Sequence, residues 1–190
     1  MPTAAQIQGV VLCGGSGIRM GGTDKPLLDF RGEPMVAQVV RRLAAQTAGV
    51  LISANRNLEL YRAYASVFCD APLEAQGPMT GVLRALQESA QPWVMIVPGD
   101  APLLADDLVQ RLAIAADQPR AVIAHDGTRA QVLHLLVHKD LAPMLSAYLD
   151  GGHRSVEGWY NVLPRQQRRT VDCADIADSF RNLNTPGDLE

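Results

Sequence analysis

The chain has 190 residues, of which 47% are hydrophobic and 19% are charged. This length suits one domain, which we place at residues 1–190, and the composition is typical of a folded globular protein rather than a disordered one. The formal net charge is −3 and no basic stripe stands out, so we expect no nucleic-acid partner.

The cysteine pattern and the apolar runs favour a cytoplasmic protein. Cys13, Cys69 and Cys173 are odd in number and far apart, which argues against a disulfide framework and a zinc knuckle. No apolar run approaches the roughly 18 residues of a membrane span. Residues 1–6 lack the basic and apolar regions of a signal peptide. We therefore expect a cytoplasmic location and no membrane partner.

Strands and helices alternate along the chain. Residues 7–12 form a short, apolar, β-branched run that ends at Gly14, which predicts a buried first strand. Pro34 suits the first position of a helix, and apolar residues recur at helical spacing after it. In chain order we predict strand 7–12, helix 35–48, strand 50–54, helix 57–65, extended segment 67–69, helix 79–90, strand 93–97, helix 104–116, strands 121–125 and 131–138, helix 140–149, strand 169–173, and a short helix after the turn at 182–186.

Two local signals refine this pattern. Asp106 and Asp107 fall in the first turn of the predicted helix 104–116, where the helix dipole favours carboxylates. Asp126-Gly127 separates two consecutive predicted strands and indicates a hairpin. Together the elements predict an α/β fold, a single-domain, doubly wound, mostly parallel sheet with helices on both faces. Ligands of such sheets gather beyond the carboxyl ends of the strands.

His134 and His138 are open to two interpretations. Their i, i+4 spacing would place both imidazoles on one face of a helix, as in a metal-binding pair. The intervening Leu135, Leu136 and Val137 favour a strand with two half-exposed imidazoles instead. We prefer the strand.

A glycine-rich loop follows the first strand. Five glycines occur between residues 14 and 22, with Arg19 among them and Lys25 just beyond. A dinucleotide fingerprint would need a glycine where Met20 stands, and a Walker loop would need a lysine where Thr23 stands. Glycines let backbone N–H groups converge on an anion, and two nearby cations suit a triphosphate. The alternative is a flexible surface loop with exposed charges.

Two carboxylates follow apolar strands. Asp100 follows the predicted strand 93–97 and the turn Pro98-Gly99. Asp70 follows the predicted extended segment 67–69. A carboxylate opposite a phosphate-binding loop is a suitable ligand for Mg²⁺, which takes one or two carboxylates together with phosphate oxygens and water. The alternatives are a helix N-cap for Asp100 and ordinary turn chemistry for Asp70.

The loop resembles the signature of sugar-nucleotide-type nucleotidyltransferases; residues 14–25 read GGSGIRMGGTDK. The doubled glycine before Asp24-Lys25 is most similar to the molybdenum cofactor guanylyltransferases. Four further segments agree with that family, in its order along the chain: 53–57, 77–81, 98–102 and 182–186. The matches span residues 7–189.

The resemblance implies a Rossmann-like nucleotidyltransferase fold and a Mg²⁺-dependent transfer of GMP from GTP to the terminal phosphate of molybdopterin, with pyrophosphate leaving. It implies GTP, molybdopterin or molybdenum cofactor, and cofactor-inserting chaperones of molybdoenzymes as partners of a monomer. A cytidylyltransferase of the same fold is one alternative, against which the doubled glycine and Asp24 argue. A non-catalytic nucleotide-binding domain is another, against which the retention of Lys25 with Asp100 argues.

The resemblance also assigns roles to individual residues. Catalysis would depend on Lys25, Arg19 and Asp100, and Asp100 would hold the metal. The GTP-binding residues would be Leu12, Cys13, Gly14, Gly15, Lys25, Asn55, Asp70 and Asp100. The acceptor side would comprise Arg154, Asn182 and Asn184.

Two positions depart from the family pattern. Cys13 stands where the family usually has alanine, and Gly99 stands where a cysteine or another small residue is common. Neither departure removes a required charge. We do not expect Cys13 to act as a nucleophile, because it ends a buried strand and has no base adjacent in the sequence.

Overall fold

The structure is a computed structural model that describes residues 1–14, 24–69 and 77–183. Its strands are β1 (Ile7–Leu12), β2 (Asp29–Phe30), β3 (Glu33–Pro34), β4 (Val50–Ser53), β5 (Ser66–Phe68), β6 (Trp93–Pro98), β7 (Ala121–His125), β8 (Ala130–His138) and β9 (Arg168–Asp172). Its α-helices are α1 (Met35–Ala44), α2 (Leu58–Arg62), α3 (Pro78–Glu88), α4 (Leu108–Ala115), α5 (Ala142–Asp150) and α6 (Val156–Val162). None of the helices in these ranges combines the length and hydropathy that a membrane-spanning helix needs.

Seven strands form one sheet in the order β5-β4-β1-β6-β8-β7-β9. Strand β8 runs antiparallel to both of its neighbours, and the other pairings are parallel. The chain first builds outward from β1 through β4 to β5, and then restarts on the other side of β1 with β6. This order confirms the predicted doubly wound, mostly parallel sheet. It also places the topological switch point between β1 and β6, where open α/β sheets bind their ligands.

Two hydrophobic cores cover the two faces of the sheet. Val11 faces a core that includes Val39 of α1 and Leu112 of α4. The preceding residue of β1, Val10, faces a second core that includes Val82 of α3 and Trp159 of α6. Successive side chains of a strand point to opposite faces, so a strand buried on both sides shows the continuous apolar run found at 7–12. The predicted helices on both faces are confirmed.

The helix predicted at 104–116 begins four residues later than expected. Asp107 is its N-cap, without a side-chain capping bond, so Asp106 and Asp107 precede the helix rather than lie in its first turn. The side chain of Gln46 donates to the carbonyl oxygen of Ala105 (2.9 Å) and accepts from the backbone N–H of Val109 (3.0 Å). The Gln46 side chain thus hydrogen-bonds backbone groups at positions 105 and 109, where the sequence predicts a turn of helix.

Several elements differ from or were missed by the sequence-based prediction. Helix α1 ends at Ala44 instead of residue 48, and helix α6 and the small hairpin of β2 and β3 were not predicted. Helix α6 spans only seven residues, too few for its periodicity to stand out, and Ser155 begins it by accepting from the N–H of Gly158 (3.0 Å). The hairpin predicted around Asp126-Gly127 is confirmed. The turn and helix predicted near the carboxyl terminus fall largely outside the described residues.

His134 and His138 lie on a strand, as preferred, but the expectation that both are half-exposed is wrong for His134. His134 is only 1% exposed, and its ring packs edge-on against Phe180 with 4.8 Å between ring centroids. The pairing of β7 with β8 is irregular between Ile123 and Ala124, so that residues 132–134 have no regular partner on β7. This irregularity lies next to the position of the buried imidazole.

Candidate active site

The carboxyl ends of β1, β4 and β6 meet at one edge of the sheet and are tied together by backbone hydrogen bonds. Gly99 N–H, just beyond β6, donates to the carbonyl oxygen of Leu12 at the end of β1 (2.9 Å). Cys13 N–H donates to the carbonyl oxygen of Ser53 at the end of β4 (2.8 Å). The start of the glycine-rich loop is therefore held between its two neighbouring strands.

Lys25 and Asp100 form an ion pair across this edge. Their side chains are 18% and 20% exposed, so the pair is mostly shielded but still reachable from solvent. Residues 99–100 form a turn well before α4 begins at Leu108, which excludes the helix N-cap as the role of Asp100. Two residues assigned to both catalysis and GTP binding are thus brought together although 75 positions separate them.

The carboxyl-terminal segment also reaches this site. Leu183 N–H donates to the backbone carbonyl oxygen of Asp100 (3.2 Å), and Leu183 is buried. Asn182, which was assigned to the acceptor side, directly precedes this contact and is exposed. The segment 182–183 therefore lies beside the turn that carries the predicted metal ligand.

Two other predicted residues lie at the ends of elements that border this edge. Asn55 is exposed and follows β4. Arg154 is exposed, and its Nη1 donates to the carbonyl oxygens of Leu149 and His153 (both 2.7 Å). Its backbone lies beside Gly77, which is the N-cap of α3 and has a positive φ of 111°. The side chain of Arg154 thus binds the end of α5 in this structure.

Four predicted residues lie outside the described part of the chain: Gly15, Arg19, Asp70 and Asn184. Their assignments to GTP, catalysis and the acceptor side stay predictions. Residues 15–23, which make up most of the glycine-rich loop, also lie outside the described part of the chain.

Cys13 is buried directly after β1 and is unsuited to nucleophilic attack. Burial raises the pKa of its thiol far above the usual range, and the charges of Asp24 and Asp100 act in the same direction, against a smaller opposing effect of the Tyr61 hydroxyl. A thiol that stays protonated is a poor nucleophile. This agrees with a reaction that needs no protein nucleophile.

The two departures from the family pattern contact each other. A Cβ atom built on Gly99 would lie 2.7 Å from Sγ of Cys13, closer than packed atoms allow. The larger residue at position 13 therefore occupies the space that a side chain at position 99 would need. The absence of a side chain at Gly99 leaves room for the thiol of Cys13 and for the ring of Pro26.

Asp24 is a site residue that the sequence prediction quoted in a motif but gave no role. Its side chain is 5% exposed; Oδ1 accepts from Nη2 of Arg56 (3.0 Å) and Oδ2 accepts from Nδ2 of Asn57 (2.9 Å). Burial raises the pKa of the neighbouring Tyr61 hydroxyl far above its usual value, and Cys13 and Asp24 add to the effect. In the sequence Asp24 stands out through the motif of residues 14–25, which gives no indication of its partners.

Within the described ranges no group of three or more histidine, cysteine, aspartate or glutamate residues could enclose a metal ion. Asp100 is nevertheless compatible with Mg²⁺, since this ion needs only one or two carboxylates when phosphate oxygens and water complete its coordination. A cavity of about 390 Å³ opens elsewhere, beside the start of β1, and is lined by residues such as Pro2, Gln46 and Val109. It lies at the opposite edge of the sheet from Lys25 and Asp100 and is not part of this site.

The chain is similar in sequence to known proteins along most of its length. The model of the MobA-like NTP transferase domain matches residues 9–167. A relative from Photobacterium profundum, named molybdenum cofactor guanylyltransferase, is 40% identical over 192 residues, which cover 100% of this chain and 97% of the relative.

Solved structures show the same fold at low sequence identity. Molybdopterin-guanine dinucleotide biosynthesis protein A from Archaeoglobus fulgidus has a TM-score of 0.76 at 18% identity, over 96% of this chain and 94% of that one. The 4-diphosphocytidyl-2C-methyl-D-erythritol synthase from Anaerococcus prevotii DSM 20548 has a TM-score of 0.71 at 13% identity, over 98% and 93% of the two chains. Because the family model spans most of the chain and a 40% identical relative aligns with all of it, this chain belongs to the MobA-like NTP transferase family.

Proposed function

We propose that the protein transfers GMP from GTP to the terminal phosphate of molybdopterin, releases pyrophosphate and forms the guanine dinucleotide cofactor. The observation that carries this proposal is the Lys25–Asp100 pair at the switch point between β1 and β6. The full-length similarity to a molybdenum cofactor guanylyltransferase supports the choice of substrates.

The chemistry requires one phosphate to attack another against their like charges. Catalysis then comes mainly from neutralising those charges and from in-line positioning. The Lys25 ammonium would move from Asp100 to the phosphates of the bound nucleotide, and Arg19 would add a second cation. The buried, protonated thiol of Cys13 leaves the attack to the acceptor phosphate itself.

Asp100 would hold the Mg²⁺ that we propose for this reaction. When bound, the ion would neutralise charge on the reacting phosphates. Asp100 is partly exposed and lies opposite the end of the loop, which fits one carboxylate that shares a metal with a nucleotide. The release of Lys25 from Asp100 on nucleotide binding would free the carboxylate for this role.

The remaining predicted residues divide between the GTP site and the acceptor site. The backbone of Leu12, Cys13 and Gly14, with Gly15, Asn55 and Asp70, would bind GTP. Arg154, Asn182 and Asn184 would lie toward the acceptor. The contact of Leu183 with Asp100 supports an acceptor segment next to the metal ligand.

The test is pyrophosphate release measured with GTP, ATP, CTP and UTP, each with Mg²⁺ and molybdopterin. A site that pairs a base edge leaves buried polar groups unpaired with the wrong base, so we expect GTP to be preferred by about 10⁴-fold. Equal turnover of CTP would support the cytidylyltransferase alternative, which the fold shared with the Anaerococcus enzyme does not exclude. Nucleotide binding without pyrophosphate release would support a non-catalytic domain.

We further propose that the enzyme is a cytoplasmic monomer that passes its product to cofactor-inserting chaperones of molybdoenzymes. Light scattering after gel filtration tests the monomer: a mass corresponding to one chain supports it, and twice that mass contradicts it. The chaperone partner is tested by immobilising this protein with the guanine dinucleotide bound to it and passing a molybdoenzyme chaperone over it. Retention of the chaperone supports the proposal, and its absence from the bound fraction contradicts it.

A further inference from the structure

The carboxylate of Asp24 is buried at the edge of the sheet and is fully engaged by one neighbouring loop. Each of its two oxygens has its own donor: Arg56 reaches Oδ1 at 3.0 Å and Asn57 reaches Oδ2 at 2.9 Å. A buried charge is costly unless it is paired and hydrogen-bonded, so both contacts matter for the geometry of this region.

Both donors belong to the loop that follows β4. Asn57 has the left-handed backbone conformation (φ 51°, ψ 34°), and its carbonyl oxygen accepts from the N–H groups of Leu60 (2.9 Å) and Tyr61 (3.2 Å) at the start of α2. The same loop carries Asn55, the residue assigned to the nucleotide. The Asp24 contacts and the turn into α2 both hold this loop.

Asp24 and Lys25 bind residues that follow the two strands on either side of β1. In the sheet, β1 lies between β4 and β6. Asp24 binds the loop after β4, whereas Lys25 binds Asp100 in the turn after β6. Two consecutive residues thus link the loop that carries Asn55 to the turn that carries the proposed metal ligand.

We propose that Asp24 is a positioning residue for nucleotide binding. Through Arg56 and Asn57 it holds the loop 55–57 at a fixed place relative to Lys25, so that Asn55 and Lys25 can bind one nucleotide at the same time. This inference rests on the proposed function, since it assigns Asp24 a task in the binding of GTP.

The test is the substitution Asp24→Asn. An amide of the same shape has one accepting oxygen instead of two and no charge, so it cannot accept from both Arg56 and Asn57 in the same way. We expect the KM for GTP to rise tenfold or more while kcat changes less than threefold, the pattern of lost binding that is common to ground and transition states. Glu33→Gln is the matched control, because it removes a carboxylate from an exposed arginine pair with Arg41 and should leave both constants unchanged.

A second readout does not depend on GTP. In Asp24→Asn, deuterium uptake of the peptide 54–61 should increase relative to the wild type, whereas uptake of β6 and α3 should not. The exchanged pair Asp24→Asn with Asn57→Asp restores a carboxylate facing an amide, and aspartate tolerates the left-handed conformation at position 57. We expect this double variant to recover a KM within threefold of the wild type.

The outcomes separate the two proposals. If the wild type releases no pyrophosphate from GTP, the proposed function fails, whereas the uptake of peptide 54–61 still reports on the anchoring by Asp24. If the wild type is active and Asp24→Asn keeps its KM, or loses only thermal stability, the positioning role is wrong. Should Asp24→Asn not fold, Asn57→Gly removes one donor while keeping the backbone conformation, and an unchanged KM in that variant overturns the proposal.

Discussion

At the residue scale the site depends on a few charged groups that the fold shields only in part. Lys25 and Asp100 are each about four-fifths buried and neutralise each other across the edge of the sheet. Asp24 is more deeply buried and is satisfied by donors from another loop. The sequence could predict the first pair, because a lysine after a glycine-rich loop and an aspartate after a strand are recognisable signals. It could not predict the partners of Asp24, since an arginine and an asparagine in the loop after β4 form no recognisable signal for a buried carboxylate.

The first prediction concerns Lys25. Replacing Lys25 with alanine removes a preorganised cation from the phosphates and should lower kcat by about 10²-fold or more. Steady-state pyrophosphate release measures this effect, and Arg41→Ala, at an exposed ion pair on α1, is the control that should keep full activity. A loss of less than threefold in Lys25→Ala would refute its catalytic role.

The second prediction concerns Cys13 and Gly99. Gly99→Ala should lower the free energy of unfolding by about 1–3 kcal/mol, because the new methyl group overlaps Sγ of Cys13. In the Cys13→Ala background the same change should cost about 1 kcal/mol less, since the overlapping atom is gone. Urea denaturation of the four proteins measures this coupling.

Gly49→Ala is the control for the double-mutant cycle of Cys13→Ala and Gly99→Ala. A Cβ at Gly49 would lie 3.8 Å from Nε2 of Gln8, an ordinary contact, so no loss of stability is expected. Additive effects of Cys13→Ala and Gly99→Ala would show that the two positions do not compensate for each other.

The third prediction concerns the buried imidazole of His134. Burial lowers its pKa to about 3, from an ordinary value near 6.5, and neither ring nitrogen has a hydrogen-bond partner among the described residues. Between these two pKa values the unfolded chain binds a proton that the folded protein does not. His134 therefore makes the folded state less stable as the pH falls below about 6.5, by up to about 1.4 kcal/mol per pH unit.

The variant His134→Leu should remove this dependence. The free energy of unfolding, measured in urea at pH 7, 6 and 5, should fall less steeply in the variant than in the wild type. Carboxylates titrate in both proteins and cancel in the comparison. Equal slopes would show that His134 is not buried as a neutral group.

At the element scale the sequence indicated most strands and helices but not every boundary. Strand β1 was predicted without error because its apolar run ends at a glycine, and the hairpin of β7 and β8 followed from Asp126-Gly127. The start of α4 was missed because it depends on Gln46, a residue 63 positions before Val109. Local periodicity carries no information about such a long-range contact.

The fourth prediction concerns this contact. Gln46→Ala leaves Val109 N–H without its acceptor and should lower the free energy of unfolding by about 1–2 kcal/mol, as the loss of a helix cap does. Gln110→Ala, at an exposed position of α4, should change it by less than about 0.5 kcal/mol. Chemical denaturation measures both, and equal losses would contradict the capping role of Gln46.

At the scale of the whole molecule, the strand order explains why the predicted residues meet. The chain leaves β1 in one direction and returns to its other side with β6, so Cys13, directly after β1, lies against Gly99 in the turn after β6. The alternation of strands and helices predicted the doubly wound sheet. The place of β1 between β4 and β6 could not be derived from it, because the strand order is decided by packing between segments far apart in the chain.

The central claim is that this edge transfers the α-phosphate of GTP, with its nucleoside, to molybdopterin. The most direct measurement follows the label when the protein is incubated with Mg²⁺, molybdopterin and GTP that carries ³²P at either the α or the γ position. We expect the α label to appear in the molybdopterin product and the γ label in pyrophosphate. Release of the γ label as inorganic phosphate, with no α label in molybdopterin, would contradict it.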